Sequence, residues 1–139
     1  MSAVYVAAPF ARFMDSFAVT NDLRAAGHTS TSWWIHAAYT TRGVEALTDR
    51  SAAVALATND ADVDRSDAMI VLAYPGEGGE MFCEMSRALA RGIPVFYVGG
   101  RLVLSAFRPG VTRCASVADA IAALGALEWP PGLAPIDDG

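Results

Sequence analysis

The sequence predicts an α/β fold: a doubly wound, flavodoxin-like three-layer sandwich with a mainly parallel sheet of about five strands. Strand-length apolar runs alternate with segments of helical spacing along most of the 139 residues. This alternation is typical of a parallel sheet with helices on both faces. The runs at residues 3–8 and 68–73 are apolar throughout, as in strands that are buried on both faces. Right-handed crossovers then give a strand order of about 2-1-3-4-5.

Each element is predicted from its local pattern and from the residues that end it. Strands are expected at residues 3–8, 28–34, 68–73, 94–98 and 112–115, and helices at 11–26, 52–65, 80–91, 103–107 and 117–124. Ser51 is the expected N-cap of the second helix, and Gly27 and Gly92 follow the ends of the first and third. Residues 1–127 are predicted to form one domain, and the Pro- and Gly-rich residues 128–139 a loose tail.

Composition excludes several classes of function. The net charge is -5 and there is no basic stripe, so nucleic acid is not an expected partner. No apolar run approaches the roughly 20 residues that cross a bilayer, so no membrane partner is expected. The start of the chain has no signal-peptide pattern, and Cys83 and Cys114 are expected to be reduced thiols. These features predict a cytoplasmic protein.

Ligands of such a sheet bind at the carboxyl ends of its strands. The residues expected there are Ala8, Pro9, Phe10, Trp33, Gly76, Gly78 and Gly79. The glycines allow backbone N–H groups to approach an anion, and the next helix points its positive end at it. The alternative is a flexible turn, since the spacing matches neither G-x-G-x-x-G nor a Walker A loop. Of Trp33 and Trp34 at the end of strand two, one ring is expected in the core and one is available for stacking.

Glu84 lies one turn into the helix after this loop. The helix dipole favours its anion, which suits a nucleophile or an electrostatic stabiliser. The alternative is a solvated glutamate that pairs with Arg87.

A second acidic group, which includes Asp60 and Asp62 beside Asn59, ends the preceding helix. It lacks the glycine and the terminal glutamate of a calcium loop, and no Cys/His spacing indicates zinc. Neither a metal nor another cofactor is therefore expected. Solvated carboxylates are the favoured interpretation of Asp64 and Asp67, with a cap on the third strand as the alternative for Asp67.

Four segments resemble a known family in order and spacing. Residues 4–10 read V-Y-V-A-A-P-F and are similar to I-Y-L-A-G-P-x-F, and residues 27–33 resemble G-H-x-V-x-S-x-W. Residues 62–71 are similar to D-I-x-x-A-D-x-L-V-V, and residues 83–95 to F-E-L-G-Y-A-L-A-L-G-K-P-V. The family is the nucleoside 2-deoxyribosyltransferase-like superfamily, which includes nucleotide N-glycoside hydrolases. The resemblance covers about residues 3–111.

The resemblance implies an enzyme that cleaves or exchanges the bond between a base and a (deoxy)ribose. Its catalytic glutamate, which attacks the anomeric carbon, falls on Glu84. Its second acid falls on Asn59, so Asp60 and Asp62 are the nearest carboxylates. Glu80 replaces a small residue, and Arg87 fits the E-L-G-R-A version of the hydrolases.

The resemblance also implies a nucleoside or nucleotide as the small-molecule partner and a homo-oligomer, a dimer or higher, that completes the site. Because Asn59 and Glu80 depart from the pattern, a non-catalytic nucleotide or nucleotide-sugar binding protein is the alternative. A structural subunit with a plugged cleft is a third possibility.

Overall fold

The computed structural model describes residues 1–37, 48–74, 79–100 and 103–127. The strands are β1 (Ala3–Ala7), β2 (Thr29–Ser30), β3 (Ala68–Leu72), β4 (Val95–Val98) and β5 (Val111–Cys114). The helices are α1 (Phe13–Ala25), α2 (Trp33–Ala37), α3 (Asp49–Asp64), α4 (Gly79–Ala90) and α5 (Val117–Leu127). Short 3₁₀ turns cover Phe10–Arg12 and Leu104–Phe107. Residues 128–139, predicted as a tail, lie outside the described residues.

The strands form one parallel sheet in the order β2-β1-β3-β4-β5. The chain moves from β1 outward to β2 and then back across β1 to β3. With right-handed crossovers, α1 covers one face of the sheet and α3 and α4 the other. The predicted α/β three-layer fold and the predicted strand order are both confirmed.

The central strands are buried because both of their faces are covered by helices. Residues 4–7 of β1 and all five residues of β3 are buried. Tyr5 pairs in register with Met69, and Ile70 pairs with Phe96. Burial on both faces therefore explains why these runs of the sequence are apolar throughout, as predicted.

The predicted second strand is wrong beyond Ser30, because α2 begins at Trp33. Side chains replace the strand ladder there. Ser32 Oγ accepts a hydrogen bond from Val6 N at 2.6 Å, and Trp34 Nε1 donates to the Val6 carbonyl at 2.9 Å. These local bonds override the β propensity of the Thr, Ser and Trp residues.

The start of α3 also differs from the prediction. Thr48 is the N-cap, and Ser51 is the third residue of a capping box. Thr48 Oγ1 accepts from Ser51 N at 3.1 Å, and Ser51 Oγ accepts from Thr48 N at 2.8 Å. The backbone N–H groups of Thr48 and Ser51 are thereby satisfied.

Gly99 allows the ends of β3 and β4 to come together. Its φ is +133°, and a Cβ at this position would collide with the carbonyl oxygen of Ala73. A side chain is excluded by both the backbone angle and the close approach. Gly99 thus lies at the edge of the sheet where ligands of such folds bind.

Candidate active site

A cavity of about 820 Å³ opens beyond the carboxyl ends of β1 and β2, with α3 and α4 as its walls. The described lining comes from the end of β1, from α2, from the residue that caps α3, and from the two helices. Its members are Ala8, Phe10, Trp33, Trp34, Thr48, Arg50, Ser51, Ala52, Val54, Ala55, Leu56, Asn59, Asp60, Glu80, Cys83, Glu84 and Arg87. The cavity therefore lies at the predicted edge of the sheet.

Glu84 lies on the side of α4 that faces the cavity, and most of it is buried. Burial raises the pKa of its carboxyl from 4.5 to about 7, and the negative charges of Glu80 and Asp60 act in the same direction. The helix dipole led us to expect a stabilised anion. Desolvation outweighs this effect, so the pKa of the Glu84 carboxyl lies near neutral pH.

The Tyr5 hydroxyl lies beneath Glu84, in the middle of β1. It is buried and has no hydrogen-bond partner of good geometry among the described residues. It is nevertheless close enough to lower the pKa of Glu84, against the larger effect of burial. Burial and the charge of Glu84 together hold the pKa of Tyr5 far above its usual value. The hydroxyl beside Glu84 therefore stays protonated.

Asn59 and Asp60 bring the last turns of α3 to the same cavity. Asn59 Oδ1 is buried without a hydrogen-bond partner in the described part of the chain. Asp60 is half-buried, and its charge is felt at both Glu84 and Tyr5. Polar groups from β1, α3 and α4 thus converge, and buried polar groups without partners in a native protein call for an explanation.

Asp62 lies outside the cavity lining, although it was a candidate acid. Its side chain is buried, with Oδ2 accepting from Trp33 N at 3.1 Å and Oδ1 from Arg65 Nε at 3.0 Å. Arg65 also donates to the carbonyl of Thr31 at 3.2 Å. Asp62 therefore caps α2 and fixes the segment that carries Trp33 and Trp34.

Arg87 lines the cavity but does not pair with Glu84. Its Nε and one terminal nitrogen donate to the two oxygens of Asp64 at 2.7 and 2.8 Å. Its other terminal nitrogen lies 3.8 Å from Asp60 Oδ2. Asp64 accepts in addition from Arg91 Nε at 2.6 Å, so it joins α3 to α4 and is not a free solvated carboxylate.

One tryptophan is buried and the other is exposed, as expected, but both lie on α2 and not on a strand. Trp34 is buried and packs near Phe10, with ring centroids 6.2 Å apart. Trp33 is 48% exposed and lines the cavity. The ring of Trp33 is therefore available to stack on a flat ligand.

The remaining predicted site residues are less central. Ala8 and Phe10 line the cavity, whereas the buried Pro9 and the exposed Gly79 are not part of its lining. Gly76 and Gly78 lie outside the described residues. Asp67 caps the sheet, because its Oδ2 accepts from Ala3 N at 2.8 Å. No group of three potential metal ligands occurs in the described ranges.

Tyr5 is the residue that sequence reasoning missed. It was counted only as one of the apolar positions of β1. The available signal was a hydroxyl in the middle of a strand that is otherwise wholly apolar, where an unpaired polar group is costly.

Neither a protein-family model nor a curated protein sequence matches the chain. Solved structures do. A 2-deoxyribosyltransferase from the psychrotolerant bacterium Bacillus psychrosaccharolyticus superposes with a TM-score of 0.66 at 16% identity, over 86% of this chain and 90% of that chain. The CMP N-glycosidase BcmB of Clostridium botulinum superposes with a TM-score of 0.58 at 10% identity, over 89% and 98%. None of the described helices is long and apolar enough to span a membrane. The chain therefore has the fold of a 2-deoxyribosyltransferase and of a CMP N-glycosidase, as its sequence resemblance predicted.

Proposed function

We propose that this chain is a nucleoside or nucleotide N-glycosyl hydrolase or deoxyribosyltransferase with Glu84 as its nucleophile. The observation that carries the proposal is that Glu84 and Asn59 line one cavity from two different helices, with the buried Tyr5 hydroxyl of β1 beside Glu84. The fold alone does not carry a function, because one fold hosts many chemistries. The likeness to two enzymes that act on base–sugar bonds supports it.

In the proposed reaction a carboxylate oxygen of Glu84 attacks the anomeric carbon of the sugar. The bond from that carbon to the base nitrogen breaks, and the base leaves with the bonding electrons and takes up a proton. Water then hydrolyses the glycosyl ester, or a second base displaces Glu84 and forms a new nucleoside. The Tyr5 hydroxyl, which keeps its proton throughout, is proposed to donate to the unreacting carboxylate oxygen when substrate is bound.

Asp60 is the carboxylate proposed to orient the departing base, which takes up its proton from water. It is the acid that α3 contributes to the described lining, and its charge raises the pKa of Glu84. Asn59 supplies an amide that can accept from and donate to the edge of a base. Trp33 covers the flat face of the base.

Release of free base is the test of the proposal. The wild type is incubated with a panel of nucleosides and 5′-monophosphates, and the free base is separated and quantified. Glu84→Ala and Glu84→Gln are expected to lower release by at least about a hundredfold, because they remove the nucleophile. Cys83→Ala is the matched control, since Cys83 is the exposed neighbour of Glu84 in the same lining.

Two results would contradict the proposal. The first is that the wild type releases no base from any member of the panel, with transfer to a second base also absent. The second is that Glu84→Ala keeps the full rate of the wild type. The control variant must remain active for the loss in Glu84→Ala to be assigned to the carboxyl.

A second candidate function is a non-catalytic nucleotide or nucleotide-sugar binding protein. Asn59 favours it, because the amide stands where the family pattern has an acid. This function predicts calorimetric binding of the same ligands, equal in the wild type and in Glu84→Gln, without release of base. Turnover by the wild type excludes it.

We also propose a homo-oligomer, which the sequence resemblance implies. Trp33, Val54 and Leu56 line the cavity and are each about half exposed, at 48%, 58% and 55%. Apolar side chains grouped at one opening favour contact with a second protein surface. Light scattering of the purified protein measures the mass directly, and a monomer at all concentrations contradicts this proposal.

A further inference from the structure

We propose that the site selects an uncharged nucleoside over the corresponding nucleoside 5′-monophosphate, and that Glu80 is the residue that sets this preference. The inference rests on the proposed function and specifies its class of substrate. The charges of the described cavity lining carry it.

Carboxylates outnumber cations in that lining. Asp60, Glu80 and Glu84 stand against Arg50 and Arg87. The charges of Glu80 and Asp60 both reach Glu84, where they oppose a further negative charge. A phosphate that enters beside Glu84 experiences the same repulsion.

Arg87, the cation nearest to Glu84 along α4, is already engaged. Its planar fork donates two short hydrogen bonds to Asp64, and the nitrogen that remains faces Asp60. Bidentate pairing of this kind is how an arginine recognises a phosphate. A phosphate would therefore have to displace a carboxylate that also accepts from Arg91.

Glu80 is the acid nearest to Glu84 along α4, so we infer that it faces the 5′ substituent of a sugar bound at Glu84. The anomeric carbon has to touch Glu84, and the 5′-phosphate is only a few bonds away from that carbon. Glu80 lies one turn before Glu84 on the same side of α4, in the first turn of the helix. The helix N-terminus would attract a phosphate there, but the Glu80 carboxylate supplies the negative charge instead.

Arg50 is the remaining cation of the described lining. It is exposed, as Glu80 is, but it lies on the first turn of α3, far along the helix from Asp60, so water and salt screen its charge over that distance. A 5′-hydroxyl has no charge and meets none of this repulsion.

The test compares kcat/KM for pairs of nucleosides and their 5′-monophosphates. The wild type is expected to prefer the nucleoside. Glu80→Gln is expected to shift the ratio toward the monophosphate by about tenfold, the effect of removing one partly screened like charge. Asp22→Asn removes a charge from the exposed surface of α1 and is expected to leave the ratio unchanged.

The ratio is the chosen readout because Glu80 also influences the protonation of Glu84, which affects both substrates alike. A wild type that prefers monophosphates overturns this inference and leaves the proposed function intact. An equal shift in Glu80→Gln and Asp22→Asn overturns the role of Glu80. Absence of base release from both classes overturns the proposed function, and this inference falls with it.

Discussion

Replacement of Glu84 by glutamine is expected to stabilise the folded protein above neutral pH. Burial is the main reason that the pKa of Glu84 rises from 4.5 to about 7, and the charges of Glu80 and Asp60 add to it. Glutamine has nearly the same shape and no charge. The variant therefore removes the cost of keeping an ionised carboxylate in the wall of the cavity.

The size of the effect follows from the two pKa values. Between about pH 4.5 and about pH 7 the folded state keeps the proton of Glu84 and the unfolded chain releases it, so the free energy of unfolding falls as pH rises. The interval is about 2.5 pH units, at about 1.4 kcal/mol for each unit. Above pH 7 the wild type is therefore less stable than Glu84→Gln by about 3 kcal/mol, and the difference vanishes near pH 4.5.

Urea unfolding of both proteins at several pH values between about 5 and 8 measures this difference. Asp22→Asn, on the exposed surface of α1, is the control and should change the free energy of unfolding by less than about 0.5 kcal/mol throughout. A difference between the wild type and Glu84→Gln that stays constant across this range would refute the reasoning. It would mean that the Glu84 carboxyl is solvated in the folded protein.

Three further predictions concern chemistry, backbone and packing. As a nucleophile Glu84 must be ionised, so kcat/KM should rise with pH through about 7, and a fall over that range would make it a proton donor. Gly99→Ala should destabilise by at least about 2 kcal/mol in thermal unfolding, because the new Cβ meets a backbone carbonyl; Gly125→Ala, with open space around it in α5, should be neutral or stabilising. Trp34→Phe should lose about 1 kcal/mol in urea unfolding, since it removes the bond to Val6, and an unchanged value would show that this bond is dispensable.

The sheet could be predicted from the sequence, because its central strands appear there as unbroken apolar runs. β1 and β3 are buried on both faces, and two such runs separated by helices are typical of a parallel sheet. The short edge strand could not be predicted in the same way. β2 ends at Ser30 because Ser32, Trp34 and Asp62 make side-chain bonds with residues far along the chain.

The sequence predicted which edge of the sheet carries the cavity, but not the electrostatics of the residues that line it. The position of Glu84 on a helix followed from the helical pattern of residues 80–91, and Glu84 lines the cavity. Its catalytic role, which the family pattern implies, stays a prediction. Its raised pKa did not follow, because it depends on burial against β1 and on charges from two helices. The sequence also did not show which of Asn59, Asp60 and Asp62 face the cavity. Neighbouring residues on a helix point to different sides, and only the packing of α3 decides which side meets the cavity.

The side-chain bonds to Val6 have a consequence for the solubility of the protein. In an open sheet, unpaired N–H and C=O groups on an outer strand can pair with a strand of another molecule. At Val6 the Ser32 hydroxyl and the Trp34 indole occupy both groups, beyond the point where β2 ends. The wall of the cavity therefore also protects an edge of the sheet. Changes at Trp34 that reshape the pocket would also expose a template for aggregation, so altered ligand preference and altered solubility are coupled at this one side chain.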